Sequence, residues 1–218
     1  MLLPDTFFYG AHAIEHLKKR DPVLGAAIDL IGPIERPVNP DVFTALVHSI
    51  VGQQISTKAH DTIWQRMVDA FSPICPQSLA SAPVEALQSC GITMRKAGYL
   101  KGLAQDVLDG TLDLAALAFL DDDEVCRRLV SVKGVGTWTA EMLLIFSLQR
   151  PDVLSWGDLA VQRGLRMLYR HRKITPTLFA KYRRRYTPHG SVASLYLWAI
   201  ASGRYPIWSD PAARKART

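Results

Sequence analysis

Cysteine, acidic residues and long apolar runs are all in short supply in this 218-residue chain. Cysteine occurs only at positions 75, 90 and 126. An odd number at wide spacing fits neither a disulfide framework nor a zinc or iron–sulfur pattern, so these are read as free thiols. No apolar stretch approaches the roughly 20 residues of a membrane span. The opening MLLPDTFFYG lacks a basic segment and carries Asp5, so no secretory signal is expected. Convincing period-two alternation is missing too, as are internal repeats and low-complexity segments. What remains is 48% hydrophobic and 21% charged, the profile of a soluble globular protein. The length suffices for one sizeable core or for two helical lobes sharing a cleft.

Acidic residues number 20 against 26 lysines and arginines, giving a net charge of +6. The excess gathers late: Arg163, Arg166, Arg170, Arg172 and Lys173, then Lys181, Arg183, Arg184 and Arg185, then the tail Arg214-Lys215-Ala216-Arg217. Such clustering suits a polyanionic partner, although any one cluster is equally a solvated helix face.

Helical periodicity dominates. Asn39-Pro40 reads as a helix start with Asn39 as N-cap, and Val42, Leu46, Val47 and Ile50 share one face. Gly52-Gln53-Gln54-Ile55 breaks that helix and Ser56 caps the next. Ser72-Pro73 and Cys75-Pro76 read as a loop. A short helix after Pro83 ends at Gly91, and another spans Thr93 to Leu108. Asp121-Asp122-Asp123-Glu124 puts acids in a first turn, where the helix dipole favours them. Further helices are expected over 138–148, 158–169, 177–182 and 191–202. The coarse division is a central lobe, 39–150, and a second lobe from both chain ends, 1–38 plus 151–218.

The segment from Leu129 to Arg163 carries the chemistry. Lys133-Gly134-Val135-Gly136 joins two apolar helices, the second opening with Thr137-Trp138-Thr139-Ala140. Two glycines one residue apart permit a tight turn, and its backbone N–H groups lie beside a helix N-terminus. Those groups and the dipole bind phosphate without reading base identity, and Lys133 adds charge. Past this hairpin a single carboxylate, Asp158, follows Gly157 at a helix start, where the dipole favours a negative charge. Such a residue is either a plain N-cap or a fixed anion beside a phosphate grip. Asp152 competes but lies in a loop.

These features resemble the helix-hairpin-helix DNA glycosylase superfamily, most closely its alkylation-repair, 3-methyladenine DNA glycosylase II-like branch. The similarity covers roughly 39–203 and rests on LVHSIVGQQIS (46–56), GITMRKAGYLKGLA (91–104), VKGVGTWTAEM (132–142), GDLAVQRG (157–164) and SVASLYLWAIASG (191–203). It implies an all-α, two-lobed fold with the active-site cleft between the lobes. It also implies that Asp158 is the catalytic aspartate, and that Trp138 and Trp198 line a pocket where indole faces attract a cationic purine. Trp156, close to Asp158, is a third candidate for that lining. Gln53, Gln54, Ile55 and Ser56 occupy the loop that fills the gap left by a flipped base. Arg95, Lys96, Lys133, Gly134, Val135, Gly136, Thr137 and Arg163 are the implied DNA contacts. The carbonyls of Val132 and Val135 would take a structural monovalent cation. No cofactor is otherwise required.

In bifunctional relatives a catalytic lysine stands directly before the Thr-Ala pair; here that residue is Trp138, so no Schiff base is available and strand cleavage is not expected. The iron–sulfur members' C-terminal cysteine cluster is also missing. Two departures bear on the pocket. Pro188-His189-Gly190 stands where relatives carry an aromatic-Arg pair after proline, and Gly157 where a relative has a second aspartate. His189 itself reads as a surface histidine. The implied partner is double-stranded DNA containing damaged bases, bound by a monomer without a membrane. The implied setting is cytoplasmic and nucleoid-associated in a bacterium, nuclear in a eukaryote. Two alternatives stay open: a glycosylase of this fold for deaminated or oxidised bases, and a non-catalytic helix-hairpin-helix DNA-binding module.

Overall fold

The computed structural model describes residues 6–212, so the basic tail Arg214-Lys215-Ala216-Arg217 lies outside the described residues. Among those described, the regular elements are α-helices, one 3₁₀ turn (Ala116–Phe119) and an isolated bridge between Thr6 and Pro37. In chain order the helices are α1 (Ala11–Arg20), α2 (Pro22–Ile31), α3 (Val42–Gly52), α4 (Thr57–Phe71), α5 (Pro76–Ser81), α6 (Val84–Ser89), α7 (Met94–Leu108), α8 (Asp122–Ser131), α9 (Thr137–Phe146), α10 (Leu159–Tyr169), α11 (Pro176–Tyr186) and α12 (Gly190–Ala201). None is long and apolar enough to cross a membrane. The chain divides into two compact units: Asn39–Leu148, and the part up to Val38 together with the part from Gln149 onward.

The Asn39–Leu148 unit is built around α3, whose Val42, Phe43, Leu46, Val47, Ile50 and Val51 are buried. The N-cap of α3 is Asp41 and not Asn39. Asp41 Oδ1 accepts from the amides of Phe43 (3.1 Å) and Thr44 (3.4 Å), while Asn39 Oδ1, two residues earlier, accepts from Asp41 N. Aspartate caps as well as asparagine and gains from the dipole, so the start moves past Pro40. Cys75-Pro76 opens α5 where a loop was expected. Proline at the first helical position loses no internal hydrogen bond, and Ser78 Oγ satisfies the Cys75 amide at 3.1 Å.

In the other unit α10 packs on α12 so closely that a Cβ at Gly164 would lie 2.4 Å from the Leu197 carbonyl oxygen. Helices α1 and α2 meet at Asp21. This residue is 1% exposed. Its Oδ1 accepts from the Val23 (3.1 Å) and Leu24 (3.0 Å) amides. Its Oδ2 accepts from Tyr169 OH (2.6 Å) and Arg185 Nη1 (2.7 Å), and Tyr169 OH shares a further bond with Tyr186 OH at 2.7 Å. Burial is the first cause pushing both phenols far up from the ordinary tyrosine value, so they act as neutral donors.

Candidate active site

Asp158 is the N-cap of α10 and is 5% exposed. Its Oδ1 accepts from the amides of Ala160 and Val161, both at 2.8 Å. Its Oδ2 accepts from the indole Nε1–H of Trp198 at 3.1 Å. The carboxylate is thus fixed from two sides, by the dipole end of α10 and by a side chain of α12. Trp198 also borders a cavity of about 340 Å³ together with Ile34, Arg36 and Tyr205, while its N–H holds the aspartate. The residue after Asp158, Leu159, is 80% exposed. This bare leucine on the first turn of α10, beside a buried carboxylate, is not among the residues the sequence singles out. Its signal is that it falls outside the helix's apolar stripe, which runs through Val161, Leu165 and Leu168. Trp156 packs edge-on against Phe179 at 5.1 Å, and its carbonyl accepts from Gln162 Nε2 at 2.7 Å.

The loop ahead of Asp158 is latched to α12. Asp152 Oδ1 accepts from Gly190 N at 2.9 Å, and Ser191 Oγ both donates to Arg150 O (2.6 Å) and accepts from Val153 N (3.0 Å). Asp152 is thereby a latch, and a Cβ at Gly190 would lie 2.8 Å from its Oδ1. His189 is not a plain surface histidine. It is half-buried, with its ring edge-on to His12 (5.3 Å) and His16 (5.1 Å). Burial, then the neighbouring His16 and His12, hold its pKa below the usual histidine value against the opposing pull of Asp152. A folded-state pKa below the unfolded one means the neutral ring stabilises the fold above about pH 6.5, and this is lost as the pH falls through the depressed value. The thermal midpoint of His189→Gln is therefore expected to fall less between about pH 6.5 and pH 5 than that of the parent protein, as read from paired melting curves.

In the Asn39–Leu148 unit, α8 and α9 are joined by the hairpin Val132–Gly136. Gly134 has φ +93°, and a Cβ there would meet Tyr99 Cδ2 at 2.5 Å. Gly134→Ala therefore suffers twice, from the left-handed backbone and from the tyrosine ring. A loss of about 1–3 kcal/mol in stability, with weakened duplex DNA binding, is expected from denaturant titration and a binding isotherm. Val135 N donates to Val132 O at 3.0 Å, closing the turn. Lys133, Gly136 and Thr137 are exposed, and Gly136 is the N-cap of α9. Trp138, on the first turn of α9, is 46% exposed.

The loop after α3 has two kinds of residue. Gln54 and Ile55 form an exposed tip, Gln54 with φ +59°. Ser56 caps α4 by accepting from Ala59 N at 3.3 Å. Gln53 turns inward, its Nε2 donating to Gly134 O at 2.8 Å. Arg95 is exposed, but Lys96 is not poised to meet solvent phosphate: its Nζ donates to Val51 O (2.8 Å) and Gln53 O (2.6 Å). The basic clusters thin out similarly. Arg166 forms a two-pronged pair with Asp210 (3.1 and 2.7 Å), and Arg163 lies 3.7 Å from the same carboxylate. Arg185 serves Asp21. Arg170, Arg172, Lys173, Lys181, Arg183 and Arg184 remain exposed.

Similar proteins share the fold. The chain is 30% identical to DNA-3-methyladenine glycosylase 1 of Schizosaccharomyces pombe over 84% of both sequences. It is 28% identical to DNA-3-methyladenine glycosylase 2 of Escherichia coli, covering 72% of this chain and 57% of that one. Among solved structures, a DNA-3-methyladenine glycosidase from Bacillus halodurans superposes with a TM-score of 0.80 at 34% identity, over 88% of this chain and 92% of that one. The Schizosaccharomyces pombe 3-methyladenine DNA glycosylase in complex with abasic DNA superposes with a TM-score of 0.78 at 28% identity, over 91% and 99%. Residues 47–189, holding the hairpin, the capped aspartate and the tip loop, match one family throughout, and the chain belongs to the HhH-GPD superfamily of base excision DNA repair proteins.

Proposed function

We propose that this protein is a monofunctional DNA N-glycosylase that extrudes alkylated purines of the 3-methyladenine and 7-methylguanine type from duplex DNA and hydrolyses their N-glycosidic bond, leaving an abasic site. The observation that carries the reading is Asp158, a buried carboxylate held by two helix-terminal amides and one indole N–H. As the bond from C1′ to the base nitrogen lengthens, positive charge grows on the sugar and the electron pair leaves with the base. A fixed anion offsets that charge, and water forms the new C1′–O bond, giving up a proton to the Asp158 carboxylate and thence to solvent. Alkylation makes the purine cationic, so it leaves neutral and needs little acid assistance. The indole of Trp138, 46% exposed, suits such a cation, for about 0.5–2 kcal/mol.

The exposed hairpin, Arg170, Arg172 and Lys173 after α10, and Lys181, Arg183 and Arg184 of α11 supply phosphate contacts without sequence preference. With Trp138 directly ahead of Thr139-Ala140, no amine is present there to cleave the strand. This chemistry calls for no cofactor. Val132 O, already accepting from Val135 N, keeps a second lone pair, so the hairpin carbonyls fit a structural monovalent cation that would stiffen the turn.

The test is release of free base from methylated duplex DNA, with the products identified by chromatography. 3-Methyladenine or 7-methylguanine in the supernatant, with an intact abasic strand, is the expected result. Release of deaminated or oxidised bases instead would reassign the lesion class, and DNA binding with no release of any base would leave a binding module.

A further inference from the structure

The lysine at position 96 stands in an unfavourable place. It is in the first turn of α7, where its charge opposes the helix dipole; its amide is held by Thr93 Oγ1 at 3.2 Å. It is half-buried, and burial, then the Arg95 charge, lower its pKa. Both bonds its ammonium makes go to backbone oxygens, those of Val51 and Gln53, at the carboxyl end of α3. Those are orphan carbonyls carrying the negative end of the α3 dipole, so Lys96 acts as a side-chain cap for a different helix.

The chain of contacts continues. Gln53, whose carbonyl takes the Lys96 ammonium, sends its own Nε2 to the Gly134 carbonyl of the hairpin at 2.8 Å. Gly134 in turn lies against the ring of Tyr99. Tyr99 is three residues after Lys96, and so on the same face of α7. One face of α7 thus touches both the loop after α3 and the hairpin, and Gln53 joins those two directly. At the apex of this triangle sits Gln54, a non-glycine residue in the left-handed region, with Ile55 beside it. A strained tip persists only where its surroundings over-determine it.

We infer that Lys96, Gln53 and Tyr99 form a positioning triangle that holds the Gln54–Ile55 tip in fixed register with the Gly134 hairpin, and that Lys96 works through this frame and not as a phosphate ligand. The inference rests on the proposed reading in one respect, that the tip enters a base stack. A protein must insert the tip and grip the backbone at once. A loop free to move relative to the hairpin would satisfy one at the other's expense.

The experiment compares Lys96→Met, Lys96→Arg and Gln53→Leu with the parent, after melting curves establish that each is folded. Duplex affinity is measured across a salt series. A lost phosphate contact shallows the slope of log affinity against log salt by about 0.9; the triangle predicts an unchanged slope. Extrusion is read from 2-aminopurine placed beside an abasic analogue, and base release under single-turnover conditions. Lys96→Met and Gln53→Leu are each expected to lower extrusion and release about tenfold. Lys96→Arg, which retains donors, should largely keep both. The double variant should be little worse than either single one, since both cut the same frame. Placing the target base in an unpaired bulge should recover most of the loss, because less stack has to be opened; a general packing defect would not respond to the substrate in this way. A slope shallower by about one for Lys96→Met, additive losses, or no recovery with the bulge would each overturn the assignment. Absence of base release by the parent protein would overturn the glycosylase reading alone, since the salt slope and the extrusion signal still report on the triangle.

Discussion

Asp158→Asn is expected to slow base release by about a thousandfold while leaving duplex DNA affinity within a factor of about two. The magnitude follows from Coulomb's law. A carboxylate about 4 Å from a developing unit charge contributes roughly 4 kcal/mol at an effective dielectric of about 20, and each 1.36 kcal/mol is a factor of ten in rate. Affinity holds because the substitution leaves the hairpin and the exposed basic side chains unaltered. The substitution is close to isosteric but not innocent. The amide oxygen can still accept from Ala160 N and Val161 N, which leaves the amide NH₂ facing the Trp198 N–H, donor against donor. A stability loss of about 1–3 kcal/mol is therefore expected as well. Rates should be taken at a temperature where melting curves show the variant folded. Trp198→Phe separates the two effects. It keeps the charge and removes the indole N–H together with part of the ring, so a loss smaller than that of Asp158→Asn is expected. Base release by Asp158→Asn at the parental rate would remove this residue from the chemistry.

The second large effect is on stability. Asp21→Ala is expected to cost about 3–5 kcal/mol, a major part of the roughly 5–15 kcal/mol that holds a domain folded. Three losses combine. The first turn of α2 forfeits its cap, worth about 1 kcal/mol. The Tyr169 hydroxyl loses its acceptor in a buried site. The Arg185 guanidinium loses its carboxylate, although its side chain is 30% exposed and water recovers part of that bond, which places the expectation near the lower bound. Urea titration checks it, with Asp21→Asn as the control that keeps the α2 cap and loses the charge. If the midpoint of Asp21→Ala matched the parent's, the network would be ornamental.

Much of this was legible in the residues alone. Glycine at 134 announces a tight turn, and Asp158 behind Gly157 announces a helix start; both depend on local backbone chemistry, which a sequence states directly. The first 38 residues were harder to read. The α1 sequence AHAIEHLKKR buries Ala13 and Leu17 alone, so its apolar stripe is too thin to show. Long-range side-chain bonds left no trace either. Nothing in the spelling of Trp198 says that its N–H meets a carboxylate 40 positions earlier, and Lys96 in MRKAGY looks like any exposed cation. Charge clusters overstated the free surface for the same reason, since Arg166 and Arg185 are drawn inward by partners far along the chain.

The separation between those partners has a consequence for synthesis on the ribosome. Asp21 emerges early, yet Tyr169 follows 148 positions later and Arg185 another 16 after that. At about 5–20 residues per second, the nascent chain carries Asp21 without these partners for on the order of ten seconds or more. During that interval the Asn39–Leu148 segment, contiguous in the chain, is free to fold, while α1 and α2 wait for α10 to α12. Chaperone engagement and premature termination should therefore bear most heavily on the amino-terminal helices, and a truncated product would present them without the tyrosine and arginine that complete Asp21.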